Sequence, residues 1–298
     1  MRAQAVSNFM SFPGGHVPAV AERAGQDLIP SDSCHLADLL DPVGALGEAD
    51  RQALDLSSGW MGRWTLHWKA GGSRMACRVR DLAAVPVRGW QPVRAFSWRT
   101  NQRHRPGLAY MVSTGRLHGF ESIAEQRLLL ALDFLGDLVD VVSQPARITF
   151  TAAGSHVDHI PDFLVVSRDG TRLFDVRPAD RIKPEDRVNF AAAAEVALMC
   201  GWQYILVTGW KRQVMTVLDD LSAQRRPLRD PLGVQGEMLA AAARGPRAFA
   251  DLVAAASYPA VGRAHALHLL WHRRLGINLA APFGDQTLVW LPGGGTAR

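Results

Sequence analysis

Two short apolar runs, Phe163-Leu-Val-Val166 and Arg172-Leu-Phe-Asp-Val176, flank Arg168-Asp-Gly170, and no other stretch restricts the fold as much. Runs rich in β-branched and aromatic residues joined through Asp-Gly form an antiparallel hairpin. Its open end carries acids on both arms, Asp162 just before the first run and Asp175 near the end of the second. The turn therefore folds these two carboxylates toward one another. Side chains alternate along a strand, so residues 175 and 177 point to the same side and Arg177 joins them.

The flanking sequence extends this hairpin into a layered unit. Ser122-Ile-Ala-Glu125 has the form of a helix capping box, and Leu128, Leu129, Leu132 and Phe134 supply an apolar face behind it. A strand is expected over 138–143, a turn at Gln144-Pro145 and a second strand over 148–151. Asn189–Cys200 reads as an Ala-rich helix and Tyr204–Val207 as a last buried strand. Residues 116–212 thus follow the order α-β-β-β-α-β with room for an extra short strand, the pattern of an α/β fold with a mixed sheet flanked by helices.

Around this unit the sequence is less regular. Residues 1–55 mix Gly, Pro, Ser and Asp with little periodicity and are expected to form a loosely ordered leader with short helices. Residues 56–115 alternate as short strands and form a β-rich lead-in, where Trp60, Trp64, Trp68, Trp90 and Trp98 are expected to pack as core more than to stack on bases. In 213–298, helices are expected over 235–243, 248–256 and 261–275, followed by a small hairpin involving 276–280 and 286–290. Three helices closing on a β-wing resemble a winged helix.

Charge separates the same regions. The net charge is +5, and residues 211–298 hold eleven Arg or Lys against six Asp or Glu, so the whole excess lies there. A basic module beside a neutral one suits a polyanion, and Arg263, Arg273 and Arg274 are the candidate phosphate contacts. No apolar run reaches the roughly 18–20 residues that span a bilayer, and no membrane partner is expected. The three cysteines, Cys34, Cys77 and Cys200, are far apart and form no CxxC, which suits a reducing cytoplasm.

Phosphodiester hydrolysis needs an activated water, charge neutralisation at the phosphate and help for the leaving oxygen, all of which a carboxylate-held divalent cation supplies. Magnesium keeps several of its waters, so two or three carboxylates suffice, and Mn²⁺ is expected to substitute. Glu125, Asp162 and Asp175 are the candidate ligands, together with the backbone carbonyl of Val176. Each has a plainer use. Glu125 closes the cap with Ser122, Asp162 is a turn residue, and Asp175 forms an ion pair with Arg177 or Arg181. Glu121 is the alternative helix carboxylate, and Gln144 is a turn former before it is a DNA contact. His156-Val-Asp158-His159 matches part of an HxHxDH zinc motif, but Gly154 occupies the first histidine position and the next downstream histidine is His265. No GxxxxGK[ST] loop or GxSxG elbow occurs.

In this order of elements and acids the chain resembles the PD-(D/E)xK nuclease superfamily. Residues 87–210 resemble more narrowly the TnsA-like endonuclease subunit of heteromeric transposases. The resemblance rests on Pro92-Val-Arg-Ala-Phe96, Ser113-Thr-Gly-Arg116 with Gly119-Phe-Glu-Ser122, and Leu132-Asp-Phe134. It continues through Ser143-Gln-Pro145, His159-Ile-Pro-Asp-Phe163, Asp175-Val-Arg-Pro178 with Arg181-Ile182, and Gly201-Trp202. It implies that Glu125, Asp162 and Asp175 bind one or two Mg²⁺ and that Arg177 stands where the family has lysine. Arginine stays protonated, so it stabilises negative charge but gives up no proton; Lys183 is the auxiliary candidate for that task. The resemblance also implies cleavage of one strand, the 5′ side, at transposon ends in double-stranded DNA. Its expected partners are a DDE-type transposase and an AAA+ ATPase regulator. Two other readings stay open: a non-catalytic DNA-binding or assembly subunit with a nuclease fold, and a stand-alone restriction or repair nuclease.

Overall fold

The central apolar runs become inner strands of a sheet in the computed structural model, which describes residues 28–41, 46–94 and 106–293. The chain opens with α1 (Leu36–Leu39), α2 (Glu48–Gln52), α3 (Trp60–Arg63), β1 (Thr65–Ala70), β2 (Ser73–Arg78), α4 (Val79–Leu82) and β3 (Trp90–Gln91). The hairpin β4 (Gly107–Met111) and β5 (Arg116–Phe120) leads into α5 (Ile123–Leu135). Next come β6 (Leu138–Ser143), β7 (Ala146–Ala152), β8 (Ser155–His159), β9 (Phe163–Ser167), β10 (Gly170–Val176), α6 (Pro184–Met199) and β11 (Gln203–Val207). The rest contains α7 (Val214–Ser222), α8 (Val234–Ala242), β12 (Arg247–Ala248), α9 (Phe249–Ala254), α10 (Pro259–Trp271) and β13 (Leu288–Val289). The protein is mixed α/β, and none of its described helices is long and apolar enough to cross a membrane.

A four-stranded sheet runs β11-β10-β9-β6. The expected hairpin is present, with Ser167 paired to Gly170 across a two-residue turn. β6 lies antiparallel to β9, whereas β11 lies parallel to β10 after the α6 crossover. Alternation divides the two faces. Val141, Phe163, Val165, Phe174 and Val176 pack with Leu128, Leu129 and Leu132 of α5. Val142, Leu164 and Leu173 pack with Ala191, Ala192, Ala193, Val196 and Ala197 of α6. Alanines at these positions let the α6 backbone lie close to the sheet.

One expected core strand belongs elsewhere. β7 leaves after Gln144, whose φ of +47 turns the chain, and pairs with β1 and β8 in a sheet ordered β2-β1-β7-β8, with β3 also on β1. The lead-in is consequently joined to the α5–β11 region by backbone pairing such as Thr65 with Thr149. Its tryptophans are core: Trp64, Trp68 and Trp90 are 0%, 6% and 5% exposed, and Trp68 stacks on Trp90 at 5.2 Å. Trp98 lies outside the described residues, as do Ala95 and Phe96 of the resemblance.

Of the leader expectation, the short helices are present as α1 and α2, while the described part is packed and not loose. Ile29, Cys34 and Leu39 are buried, Leu40 bridges Trp210, and Arg187 grips Asp50 from α6. The segment lacks periodicity because it is irregular chain laid across other elements, with each apolar residue placed singly. In the C-terminal part the three expected helices are α8, α9 and α10, but α7 was not foreseen. The expected hairpin is reduced to a Gly276–Trp290 bridge, and β13 pairs instead with β12 ahead of α9. One continuous apolar cluster joins α7, α8, α9 and α10 to Ala131 and Phe134 of α5.

Candidate active site

Asp162 is positioned by the strand next to it. Its backbone N–H donates to the Phe174 carbonyl at 2.9 Å, while its Oδ2 accepts from the Val176 N–H at 2.7 Å. It therefore straddles Asp175 on β10, one bond to the residue before and one to the residue after. Asp162 Oδ1 accepts no hydrogen bond among the described residues.

Asp175 is 2% exposed and points to the α6 face. The costs of burying it are met by two donors. His159 Nε2 lies 3.0 and 3.1 Å from its two oxygens, and Tyr204 Oη donates to Oδ2 at 2.9 Å. Burial and the Asp175 carboxylate both push the Tyr204 phenol well up, so it remains a donor. The expected ion pair of Asp175 with Arg177 or Arg181 is replaced by this arrangement.

Glu125 reaches the region from α5, on the other side of the sheet. Its carboxylate accepts from Ser122 Oγ and the Glu121 N–H, both at 2.8 Å, and its own N–H donates to Ser122 Oγ at 3.2 Å. The capping reading of Glu125 is thus realised. Burial raises its pKa, against the pull of those hydrogen bonds. Burial likewise holds the Asp162 carboxyl well above its usual range, and the nearby charges of Asp175 and Glu125 raise it further. Asp162 is thus the acid on which the other two act electrostatically. Among the described residues, however, no three His, Cys, Asp or Glu side chains close on one point as an ion cage.

The basic candidates are placed differently from expectation. Arg177 pairs with Asp186 at 3.2 Å and donates to the Arg181 carbonyl, so its guanidinium goes to the N-terminus of α6 and not to Asp162 or Asp175. Lys183 is exposed, 3.8 Å from Glu185. Gln144 is 3% exposed and structural. Its N–H donates to the Asp162 carbonyl at 2.7 Å, and its side-chain oxygen accepts from Arg94 Nε at 2.9 Å. Arg94 also holds Glu121 at 2.6 Å. Arg273 must be removed from the phosphate contacts: it donates to the carbonyls of Leu135, Asp32 and Cys34 and lies over the Phe134 ring. Arg263 pairs with Asp285 at 2.8 Å, while Arg274 stays exposed near Gln235.

His159, Tyr204, Arg94 and Asp186 were not among the expected site residues. His159 carried a legible signal, since it lies three residues before Asp162. Tyr204 and Asp186 carried none, because only the sheet order brings β11 and the start of α6 to Asp175 and Arg177.

The donor chemistry fits a divalent cation. Two carboxylates at one strand end, one with an unused oxygen, are hard oxygen ligands of the kind Mg²⁺ and Mn²⁺ take. Compared with protein-family models and with curated proteins, the sequence matches none.

Proposed function

We propose that this chain is a metal-dependent DNA endonuclease of the PD-(D/E)xK type, acting as the TnsA-like subunit of a heteromeric transposase. The observation that carries this reading is the straddling of Asp175 by Asp162 at one end of the hairpin; burial, and after it the two neighbouring acids, raise the proton affinity of Asp162. The order α5-β6-β9-β10-α6-β11, with β7 and β8 as an insertion, supports the nuclease core that the resemblance implies. The order α8-β12-α9-α10-β13 supports a winged-helix-like element after it.

In this reading Asp162 and Asp175 hold Mg²⁺ or Mn²⁺, with the Val176 carbonyl beside them and Glu125 as the nearby third acid. A bound cation would supply an activated water and neutralise charge on a phosphodiester. The chain's own groups orient the acids. The Val176 N–H fixes one Asp162 oxygen and leaves the other available, while His159 and Tyr204 fix the plane of Asp175. Arg177 becomes available to a phosphate when it leaves Asp186, and it contributes charge without proton transfer.

Nicking of supercoiled plasmid and of transposon-end DNA, with Mg²⁺ or Mn²⁺ and with the transposase and ATPase added, tests the proposal. Asp162→Ala and Asp175→Ala are expected to abolish the nicking of the wild type, and activity surviving both would sink this site. The Glu125 cap and the Arg177–Asp186 pair favour a second reading, a DNA-binding assembly subunit that retains the fold without the chemistry. A gain of nicking in Arg177→Lys would support a weakened native enzyme, whereas a loss would indicate a site adapted to arginine.

A further inference from the structure

A cavity of about 360 Å³ opens between α5, the ends of β10 and β11, and the start of α7. Arg127, Lys211 and Arg212 line it, and among the described residues no carboxylate does. Among the described residues none of these three cations forms an ion pair or donates a side-chain hydrogen bond, although many other arginines of the chain are paired. Two acids stand close by: Asp41 packs on Gly209, which lines the cavity, and Asp38 shares a second cavity with Lys211.

The backbone adds to the same field. α7 begins after Gln213, which has a φ of +70 and gives the helix no side-chain cap. Met215 and Thr216, in the first turn of α7, line the cavity. Their N–H groups belong to the four at a helix start that lack intrahelical acceptors, and the helix dipole favours an anion there.

The cavity lies on the α5 face of the sheet, where Val176 and Val207 pack, the face opposite the Asp175 side chain. Ala124 and Val176 both line it. Each is one residue from a candidate acid, Glu125 and Asp175, and Val176 is the residue whose N–H holds Asp162. We infer that this cavity seats a backbone phosphate of double-stranded DNA, on the α5 side of the strand whose Val176 N–H holds Asp162. The inference rests on the nuclease reading for what the neighbouring acids do, but the phosphate contact itself requires only the cations and the N-terminus of α7. It also moves the principal DNA contact from the C-terminal arginines to the junction of α5 and α7.

The test is titration of a short fluorescein-labelled duplex with the full chain in EDTA, across about 50 to 200 mM salt, the range in which released counterions dominate affinity. An Arg127→Gln, Lys211→Gln, Arg212→Gln variant is expected to bind more weakly on two unrelated duplexes. Its log–log salt slope should be shallower by about 1 for each phosphate that the variant no longer neutralises. Lys211→Arg should retain the wild-type slope. Circular dichroism confirms folding, and Arg127→Gln and Arg212→Gln alone change exposed side chains if the triple variant does not fold. An unchanged slope and affinity in the variants, or no duplex binding by the wild type, overturns the inference. Asp162→Ala and Asp175→Ala in the same titration separate it from the nuclease reading. Binding that depends on the three cations without any Mg²⁺-dependent nicking keeps the phosphate site and removes the hydrolytic one. Nicking with a slope indifferent to the three cations does the reverse.

Discussion

At the scale of the residue, Asp162 and Arg273 show how one charge is tolerated in two different ways. The folded chain holds the Asp162 proton more tightly than the unfolded chain does. Its contribution to stability is therefore greatest below the unfolded carboxyl pKa of about 3.9 and declines as pH rises toward the elevated folded value. Asp162→Asn keeps an oxygen for the Val176 N–H and removes the charge. Its melting temperature is expected to exceed that of the wild type at pH 8, with the gain fading below about pH 4. Mg²⁺ should raise the melting temperature of the wild type more than that of the variant, and differential scanning fluorimetry in a pH series reads both effects. Arg273 has a φ of +57 and satisfies three backbone carbonyls. Arg273→Ala leaves those carbonyls short of donors and is expected to cost roughly 2–4 kcal/mol in urea unfolding.

At the scale of the element, α5 and the β4–β5 hairpin set the approach to the acids. Asp133 of α5 accepts from the N–H groups of Val112 and Ser113 and from Ser113 Oγ, so the hairpin turn is fastened to the helix. Ser143 Oγ fastens the other end by donating to the Gly119 carbonyl at 2.7 Å. The helix begins where Ser122 and Glu125 satisfy one another. Ser122→Ala is expected to destabilise the protein by about 1 kcal/mol. It also frees the Glu125 Oε1 that Ser122 holds, so a larger thermal shift with Mn²⁺ than in the wild type would show Glu125 joining the cation site. An identical shift in both proteins would confine Glu125 to the cap.

At the scale of the whole molecule, residues 28–41 tie distant parts together. Ile29 N–H donates to Asn278 Oδ1, Ser31 exchanges hydrogen bonds with Ile277, and Trp290 Nε1 donates to Asp32. Gly276 is held so closely that a Cβ would stand 2.1 Å from Trp290 Nε1 and 2.3 Å from Asp32 Oδ1. A chain beginning at residue 46 removes Ile29, Cys34 and Leu39 from the apolar cluster they share with α5 and α10. Burial of such side chains is worth about 1.5–3 kcal/mol each. The shortened chain is accordingly expected to lose its cooperative thermal transition or to aggregate. A retained transition within a few degrees of that of the full chain would contradict this tie.

Local chemistry by itself determined the pieces that repeat or cap within a few residues. The Arg168–Gly170 turn, the capping box at Ser122, the alanine face of α6 and the position of Asp162 and Asp175 at one hairpin end all follow from neighbours in the chain. The tertiary structure decided what no neighbour specifies. It sent β7 to pair with β1, placed Tyr204 and His159 on Asp175, drew Arg177 to Asp186, and packed an aperiodic N-terminal segment into the cluster that α5 and α10 share. The physical reason is range: a turn or cap is satisfied by residues three or four apart, whereas a buried carboxylate or an unpaired strand edge takes whichever partner the completed packing brings to it.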